Sequence, residues 1–283
     1  FRKNRSTVSA VLHEIVNYKQ KKKTFACFVD LQKAFDKVDR TLLFTKLQSL
    51  SIPHLFCKTL FQIFNDTRIY VKAGDLFSAP FKSTIGTPQG DPISPLLFSL
   101  FLSDIEESIP NIGPLLNNIR ISMIMYADDI CLLAETHDDL QKMLHALELY
   151  CSTNKLEVNV AKTKIMIFHY GRCPPFMFTF EGQQIEIVKH FVYLGFTFTT
   201  QLTFTPHLLT QISKARSRIG QLFARLPLMN LPLETLLRVF ETYATPIFLY
   251  GLPLWISNCS IGSRKSLDAL FTKFVKRYLG LRP

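Results

Sequence analysis

No apolar run in this 283-residue chain reaches the roughly 18 to 20 residues needed to cross a bilayer, so a membrane-spanning protein is not expected. The basic start Phe1-Arg2-Lys3 lacks the apolar stretch and cleavage site of a signal peptide, so export is not expected either. The six cysteines, Cys27, Cys57, Cys131, Cys151, Cys173 and Cys259, contain no CxxC pair, and no histidines stand at zinc-finger spacing. They read as reduced, mostly structural thiols of an intracellular protein, nuclear or cytoplasmic. An initiating methionine is missing as well, which suggests a piece excised from something longer.

Charge is sparse: 19% of residues are charged and 47% are apolar, which excludes disorder and supplies a large core in one or two domains. Acids are scarcer than bases, 22 against 33, and the net charge of +11 favours a polyanionic partner, nucleic acid or a membrane surface. The imbalance is steepest after Gly195. Residues 196–283 hold only three acids, Glu234, Glu241 and Asp268, against eleven lysines and arginines. A domain boundary is therefore placed near Phe196 to Thr205, with residues 1–195 as one region and a basic, mostly helical region at 196–283.

Along the first region the periodicity predicts a helix over Thr7 to Tyr18 and then a buried strand over Thr24 to Leu31 that delivers Asp30 at its end. Asp39 reads as the N-cap of a helix with Leu42, Leu43, Lys46, Leu47 and Leu50 at turn spacing, and Pro53 suits the first turn of the next. Arg68 to Lys72 and Phe77 to Lys82 read as a hairpin. The glycine- and proline-rich stretch Gly86 to Pro95 is a constrained loop leading into a helix over Leu96 to Ile105.

Ile121 to Tyr126 and Ile130 to Ala134 are short strands meeting at Ala127-Asp128-Asp129. Thr136 and Asp139 resemble a capping box for a helix with the stripe Leu140, Met143, Leu144, Leu147 and Cys151. A strand near Lys164 to Phe168 and a hairpin around Glu181-Gly182 follow. The expected class is an antiparallel α+β core, not a doubly wound parallel sheet.

Two adjacent acids on an apolar hairpin tip are costly unless cations neutralise them. Asp30 at a neighbouring strand end would complete a cluster of carboxylates suited to hard divalent ions. Nucleotidyl transfer calls for such ions, which stabilise both the attacking hydroxyl and the departing pyrophosphate. By itself an Asp-Asp pair is most often a polar turn. Its company is what carries weight: Phe28-Val29-Asp30-Leu31-Gln32-Lys33-Ala34-Phe35-Asp36, then Gly86-Thr87-Pro88-Gln89-Gly90-Asp91-Pro92-Ile93-Ser94-Pro95, then Tyr126-Ala127-Asp128-Asp129, in that order.

With these blocks the sequence resembles the reverse transcriptases of non-LTR, LINE-like retrotransposons. The resemblance extends through the opening Phe-Arg-Lys-Asn-Arg-Ser-Thr, Asn159 with Lys162-Thr163-Lys164, Tyr193-Leu194-Gly195, and a closing segment around Tyr250-Gly251 and Trp255. It implies a right-hand polymerase: an α+β palm with an antiparallel sheet, partial fingers and a helical thumb. It also implies an RNA-directed DNA polymerase using an RNA template, a DNA primer, deoxynucleoside triphosphates and two Mg2+ ions, with Mn2+ able to substitute. Partners further implied are other domains of a longer polyprotein; a membrane is not among them.

Carried over by resemblance, Asp30 and Asp128 are the principal metal ligands and Asp129 is the second acid of the hairpin pair. Phe35 matches the ring that lies beneath the sugar and excludes a 2′ hydroxyl. Gln89 and Gly90 fall where the family meets the incoming nucleotide and template. Arg2, Lys3 and Arg5 match the fingers segment that reaches the triphosphate, and sequence does not choose among them. Lys162, with Lys164 as its competitor, stands where a lysine is held to protonate the leaving pyrophosphate. Tyr193, Leu194 and Gly195 resemble the primer grip.

The match has gaps. The fingers blocks that precede the Phe-Arg motif are absent, no endonuclease precedes them, and no zinc knuckle or ribonuclease H set follows. Leu156 is read as standing where a glycine is common. The alternatives are an inactive or domesticated nucleic-acid-binding fragment and an RNA-dependent RNA polymerase, the latter expected to carry a smaller or polar residue at position 35.

Overall fold

The computed structural model describes residues 23–116, 118–169, 174–225, 231–256 and 261–281. The chain divides into two compact units, one holding Lys23–Ile165 with Cys173–Ile187 and the other Met166–Arg172 with Val188–Pro283. The helix expected over Thr7 to Tyr18 lies outside the described residues, as do Cys173 and Cys259.

The first unit is built on strand Thr24–Asp30, in which Thr24, Phe25, Phe28 and Val29 flank Ala26 and Cys27 and every residue is buried except Asp30. It lies third in a five-stranded sheet of order Glu186–Ile187, Lys164–Phe168, Thr24–Asp30, Asp129–Ala134, Met123–Tyr126. Thr24–Asp30 pairs antiparallel with Asp129–Ala134, which pairs antiparallel with Met123–Tyr126. The sheet is not wholly antiparallel, however. Lys164–Phe168 and Glu186–Ile187 run parallel, because the excursion between them, including the hairpin Thr179–Phe180 with Gln183–Gln184, brings the chain back in its original direction.

Helix His137–Asn154 packs on the central strands and buries Leu140, Met143, Leu144, Leu147, Tyr150 and Cys151. Its start is a reciprocal cap: the Thr136 hydroxyl accepts from the Asp139 amide at 3.1 Å and donates to the Asp139 carboxylate at 2.7 Å. Its end corrects the reading of Leu156. The left-handed C-cap that favours glycine is Lys155, with φ 55°, whereas Leu156 is a buried core residue.

Helix Arg40–Ser49 begins where the Asp39 carboxylate accepts from the Leu42 amide at 2.9 Å, and Leu43, Phe44 and Leu47 are buried. Leu50 is exposed at the C-cap and does not belong to that stripe. Lys46 does share the stripe because its ammonium is satisfied inside, by the Phe101 carbonyl at 2.8 Å, Asp104 at 2.7 Å and the Tyr150 hydroxyl at 3.1 Å. Phe101 and Asp104, which hold Lys46, stand at a break in the helix expected over Leu96 to Ile105. It runs Ser94–Phe101, tightens at Leu102 to Asp104, and restarts as Ile105–Ser108.

Pro53 caps helix His54–Asp66, and the hairpin after it pairs Arg68–Ile69 with Phe81–Lys82 and Lys72–Ala73 with Leu76–Phe77. Among the described residues no helix is long and apolar enough to cross a membrane.

The second unit opens on the antiparallel hairpin His190–Tyr193 with Phe196–Thr199. The break in composition at 195/196 therefore falls inside a hairpin and is not a break in structure. Helices Thr205–Arg225, Leu233–Tyr243, Thr245–Leu249, Leu252–Trp255 and Ile261–Tyr278 follow. Ala215, Ile219, Leu236, Phe240, Ala244, Leu270 and Phe274 form their shared core.

Candidate active site

Asp30 ends its strand and Asp129 begins the neighbouring one, and the antiparallel register sets them directly opposite each other. Cβ atoms of such a pair lie about 4.5–5.5 Å apart. Asp128 precedes Asp129 in the turn from Tyr126 to Asp129, where Ala127 takes φ 54°. A left-handed alanine is uncommon, and here it reverses the chain within two residues. Asp30 and the adjacent pair Asp128-Asp129, distant from it in sequence, are thus held at one end of the sheet.

Electrostatics register the crowding. Asp129 reaches solvent, yet its carboxyl titrates above the usual range, first because the strands beneath it displace water and then because the charges of Asp128 and Asp30 repel its own. Among the described residues no three acidic, histidine or cysteine side chains converge on a point that an ion would fill. A donor set of oxygen alone is what Mg2+ and Mn2+ prefer. A divalent ion fits by charge and donor type.

The Asn159–Lys164 block is stitched to Asp30. The Asn159 amide donates to the Asp30 carbonyl at 2.8 Å, the Asp30 amide donates to the Thr163 hydroxyl at 3.2 Å, and Leu31 bridges to Val158. Lys162 Nζ stands 3.9 Å from the Asp30 carboxylate with its side chain 70% exposed. Lys164 is engaged elsewhere, with Glu186 at 2.7 Å and the Ala161 carbonyl at 2.5 Å.

Phe35 is half-buried, its ring 4.5 Å from that of Phe98 on helix Ser94–Phe101. The glycine-rich loop is laid directly against it. The Thr87 amide donates to the Phe35 carbonyl at 2.9 Å and the Gly86 amide to that of Val38 at 2.8 Å. Gly86 is required there: its φ is +78°, and a Cβ would stand 2.7 Å from the Asp36 carbonyl oxygen. Further along the loop, the Gln89 amide donates to Asp36 at 2.8 Å and Gly90 is exposed with φ +86°.

In the second unit, Leu194 and Gly195 form the two-residue turn between Tyr193 and Phe196, with φ 49° and 74°. Leucine is a poor occupant of that conformation. The Tyr250 hydroxyl donates to the Leu194 carbonyl at 2.5 Å and so holds the turn. His207, buried beneath, accepts from the Thr197 amide at 3.3 Å and reaches the Tyr250 carbonyl at 3.4 Å. Arg2, Lys3 and Arg5 lie outside the described residues.

Sequence reasoning did not single out Asp36, Thr163 or Arg40. Asp36 and Thr163 lie inside blocks already recognised, while the partners of Arg40, in Phe64, Ser83, Ile85 and Gly86, lie 24 to 46 residues away and leave no local signal.

Residues 1–198 match the family model for reverse transcriptase (RNA-dependent DNA polymerase). The chain belongs to the reverse transcriptase family. It is 31% identical over 90% of its length to the probable RNA-directed DNA polymerase from transposon BS of Drosophila melanogaster, covering 29% of that protein. It is 27% identical over 86% of its length to the RNA-directed DNA polymerase from mobile element jockey of Drosophila funebris, covering 28% of it. This reverse transcriptase domain is thus a homologue of non-LTR retrotransposon polymerases and spans less than a third of the length of these two relatives. Among solved structures, a Candida tropicalis apo telomerase truncated from its C-terminal domain matches with a TM-score of 0.50 and 12% identity, covering 68% of this chain and 38% of that one. Telomerase of the same organism in complex with the TWJ fragment of telomeric RNA matches 98% of this chain and 44% of that one, at a TM-score of 0.50 and 11% identity. These likenesses establish the α+β polymerase fold of the reverse transcriptase domain.

Proposed function

We propose that this domain copies RNA into DNA, joining deoxynucleotides to a primer 3′ end at Asp30, Asp128 and Asp129. The observation that carries the reading is the register of Asp30 opposite Asp129, beside Asp128, in a chain of reverse transcriptase family. Asp30 and Asp128 are the principal ligands for two Mg2+ ions, with Mn2+ as a substitute, and Asp129 adds the second charge of the turn. When bound, such ions sharpen the attacking hydroxyl and neutralise the leaving pyrophosphate. Desolvation first, and then repulsion from Asp128 and Asp30, raises the Asp129 pKa, and the repulsive part supports this, since cations relieve it.

Lys162 carries the proton to the leaving group: it is the lysine beside Asp30, whereas Lys164 is held by Glu186. Phe35, backed by Phe98, bars a ribose 2′ hydroxyl. Gln89 and Gly90 meet the incoming nucleotide and template, with Arg2, Lys3 or Arg5 on its triphosphate. Tyr193, Leu194 and Gly195 grip the primer, and the basic helices after Thr205 act as a thumb-like region on the duplex backbone. The match to a family of RNA-dependent DNA polymerases supports an RNA template here. The domain works inside the cell, in the nucleus or cytoplasm, beside other domains of a longer polyprotein.

The test is extension of a DNA primer on an RNA template with deoxynucleotides and Mg2+. Asp128→Asn is expected to lower the rate by at least ~10^3-fold, the loss of several kcal/mol of charge stabilisation. Equal products from both proteins, or duplex binding with no extension by either, would overturn the reading.

A further inference from the structure

Arg40 is a buried charge that the chemistry above leaves unused. It is 6% exposed and occupies the first position of helix Arg40–Ser49, the end of a helix where a cation is least welcome. Burying a guanidinium without partners is costly. Among the described residues no carboxylate stands within ion-pairing distance of it, so carbonyl oxygens alone must satisfy the group.

Four carbonyls do so, and their places in the chain are informative. Nε donates to the Gly86 carbonyl at 2.9 Å, Nη1 to Ser83 at 2.6 Å and Phe64 at 3.1 Å, and Nη2 to Ile85 at 3.2 Å. The Phe64 carbonyl belongs to the last turn of helix His54–Asp66, where helical donors run out, and the Phe64 ring lies 5.3 Å from the guanidinium carbon. The other three carbonyls form the root of the loop that continues into Thr87-Pro88-Gln89-Gly90. That root is also bonded from Gly86 to Val38 and from Thr87 to Phe35. One planar fork therefore binds the loop root to the helix end behind it and to the segment that carries Phe35.

We propose that Arg40 is a positioning residue, which fixes the height of the Gly86–Gly90 loop over Phe35 and so sets the affinity for the incoming nucleotide. This rests on the reading of Phe35, Gln89 and Gly90 as the nucleotide site. A lysine keeps the charge but is a single point with three donors, and it cannot span three loop carbonyls and the helix end together. Arg40→Lys thus separates placement from charge.

The experiment uses the 283-residue chain with Arg40→Lys and Arg40→Met, first compared by urea unfolding. Amide hydrogen exchange is then followed in peptides covering 83–90 and, as a reference, 129–134. Arg40→Lys is expected to speed exchange of the Gly86 and Thr87 amides by ~10-fold, the effect of weakening about one hydrogen bond's worth of stabilisation, with the reference strand unchanged. In single-nucleotide extension, KM for the deoxynucleotide rises by about the same factor while kcat changes little. If the Met variant fails to fold, the Lys variant carries the test. Unchanged exchange at 83–90, equal acceleration in the reference strand, or a fall in kcat alone overturns the proposal. If the wild-type chain extends no primer, the functional reading fails while the exchange data still decide whether Arg40 holds the loop.

Discussion

Asp129 faces Asp30 across a strand pair and follows Asp128 in the turn, and that arrangement has a consequence for stability. A carboxyl whose folded pKa is raised favours the protonated native state. Its charge weakens the fold fully above the folded pKa, less as pH falls through it, and not at all below the unfolded value near ~3.9. Asp129→Asn in chelator-treated buffer is therefore expected to stabilise the protein at pH 7, by under ~1 kcal/mol because solvent screens the site. The gain disappears near pH ~4. Urea melts at the two pH values check this, and a variant less stable than wild type at pH 7 would show that the carboxylate is held by attraction. The acids were legible in the sequence because each sits in a recognisable block. Arg40 was not, since a single arginine beside an N-cap says nothing of burial, and its partners emerge only once the loop folds back on it.

Among the elements, the turn at Leu194-Gly195 is held in an unfavourable conformation by a group 56 residues away, the Tyr250 hydroxyl. Tyr250→Phe removes that bond with little change of shape. It is expected to cost about 0.5–1.5 kcal/mol in urea unfolding and to speed amide exchange at the turn; no change in either would mean that the hairpin alone sustains the leucine. Capped helices and the Asp-Asp hairpin were readable because their signals are local: Asp39, Thr136 with Asp139, and the short apolar runs on either side of Ala127-Asp128-Asp129. The break after Phe101 was not; the Phe101 carbonyl there is bonded by Lys46 from another helix, a contact with no local signature. The parallel pairing of Lys164–Phe168 with Glu186–Ile187 escaped for a similar reason, as register between distant strands has no local signature.

For the molecule as a whole, the distribution of charge was plain from composition alone. Residues 196–283 carry eleven bases and three acids, and Lys214 and Arg218 stand exposed four residues apart on helix Thr205–Arg225. Replacing both by Gln is expected to lower the slope of log affinity against log salt for an RNA–DNA duplex by about 2, measured by fluorescence anisotropy from 50 to 200 mM salt. An unchanged slope would remove this face from the duplex path. What composition cannot convey is alignment. The acids meet only because Asp129–Ala134 lies in one register against Phe25–Asp30. A single codon gained or lost within that strand would carry Asp129 to the sheet's other side while leaving every acid in the translation. The length of this stretch therefore reveals a change that a search for the Asp-Asp pair alone would pass over.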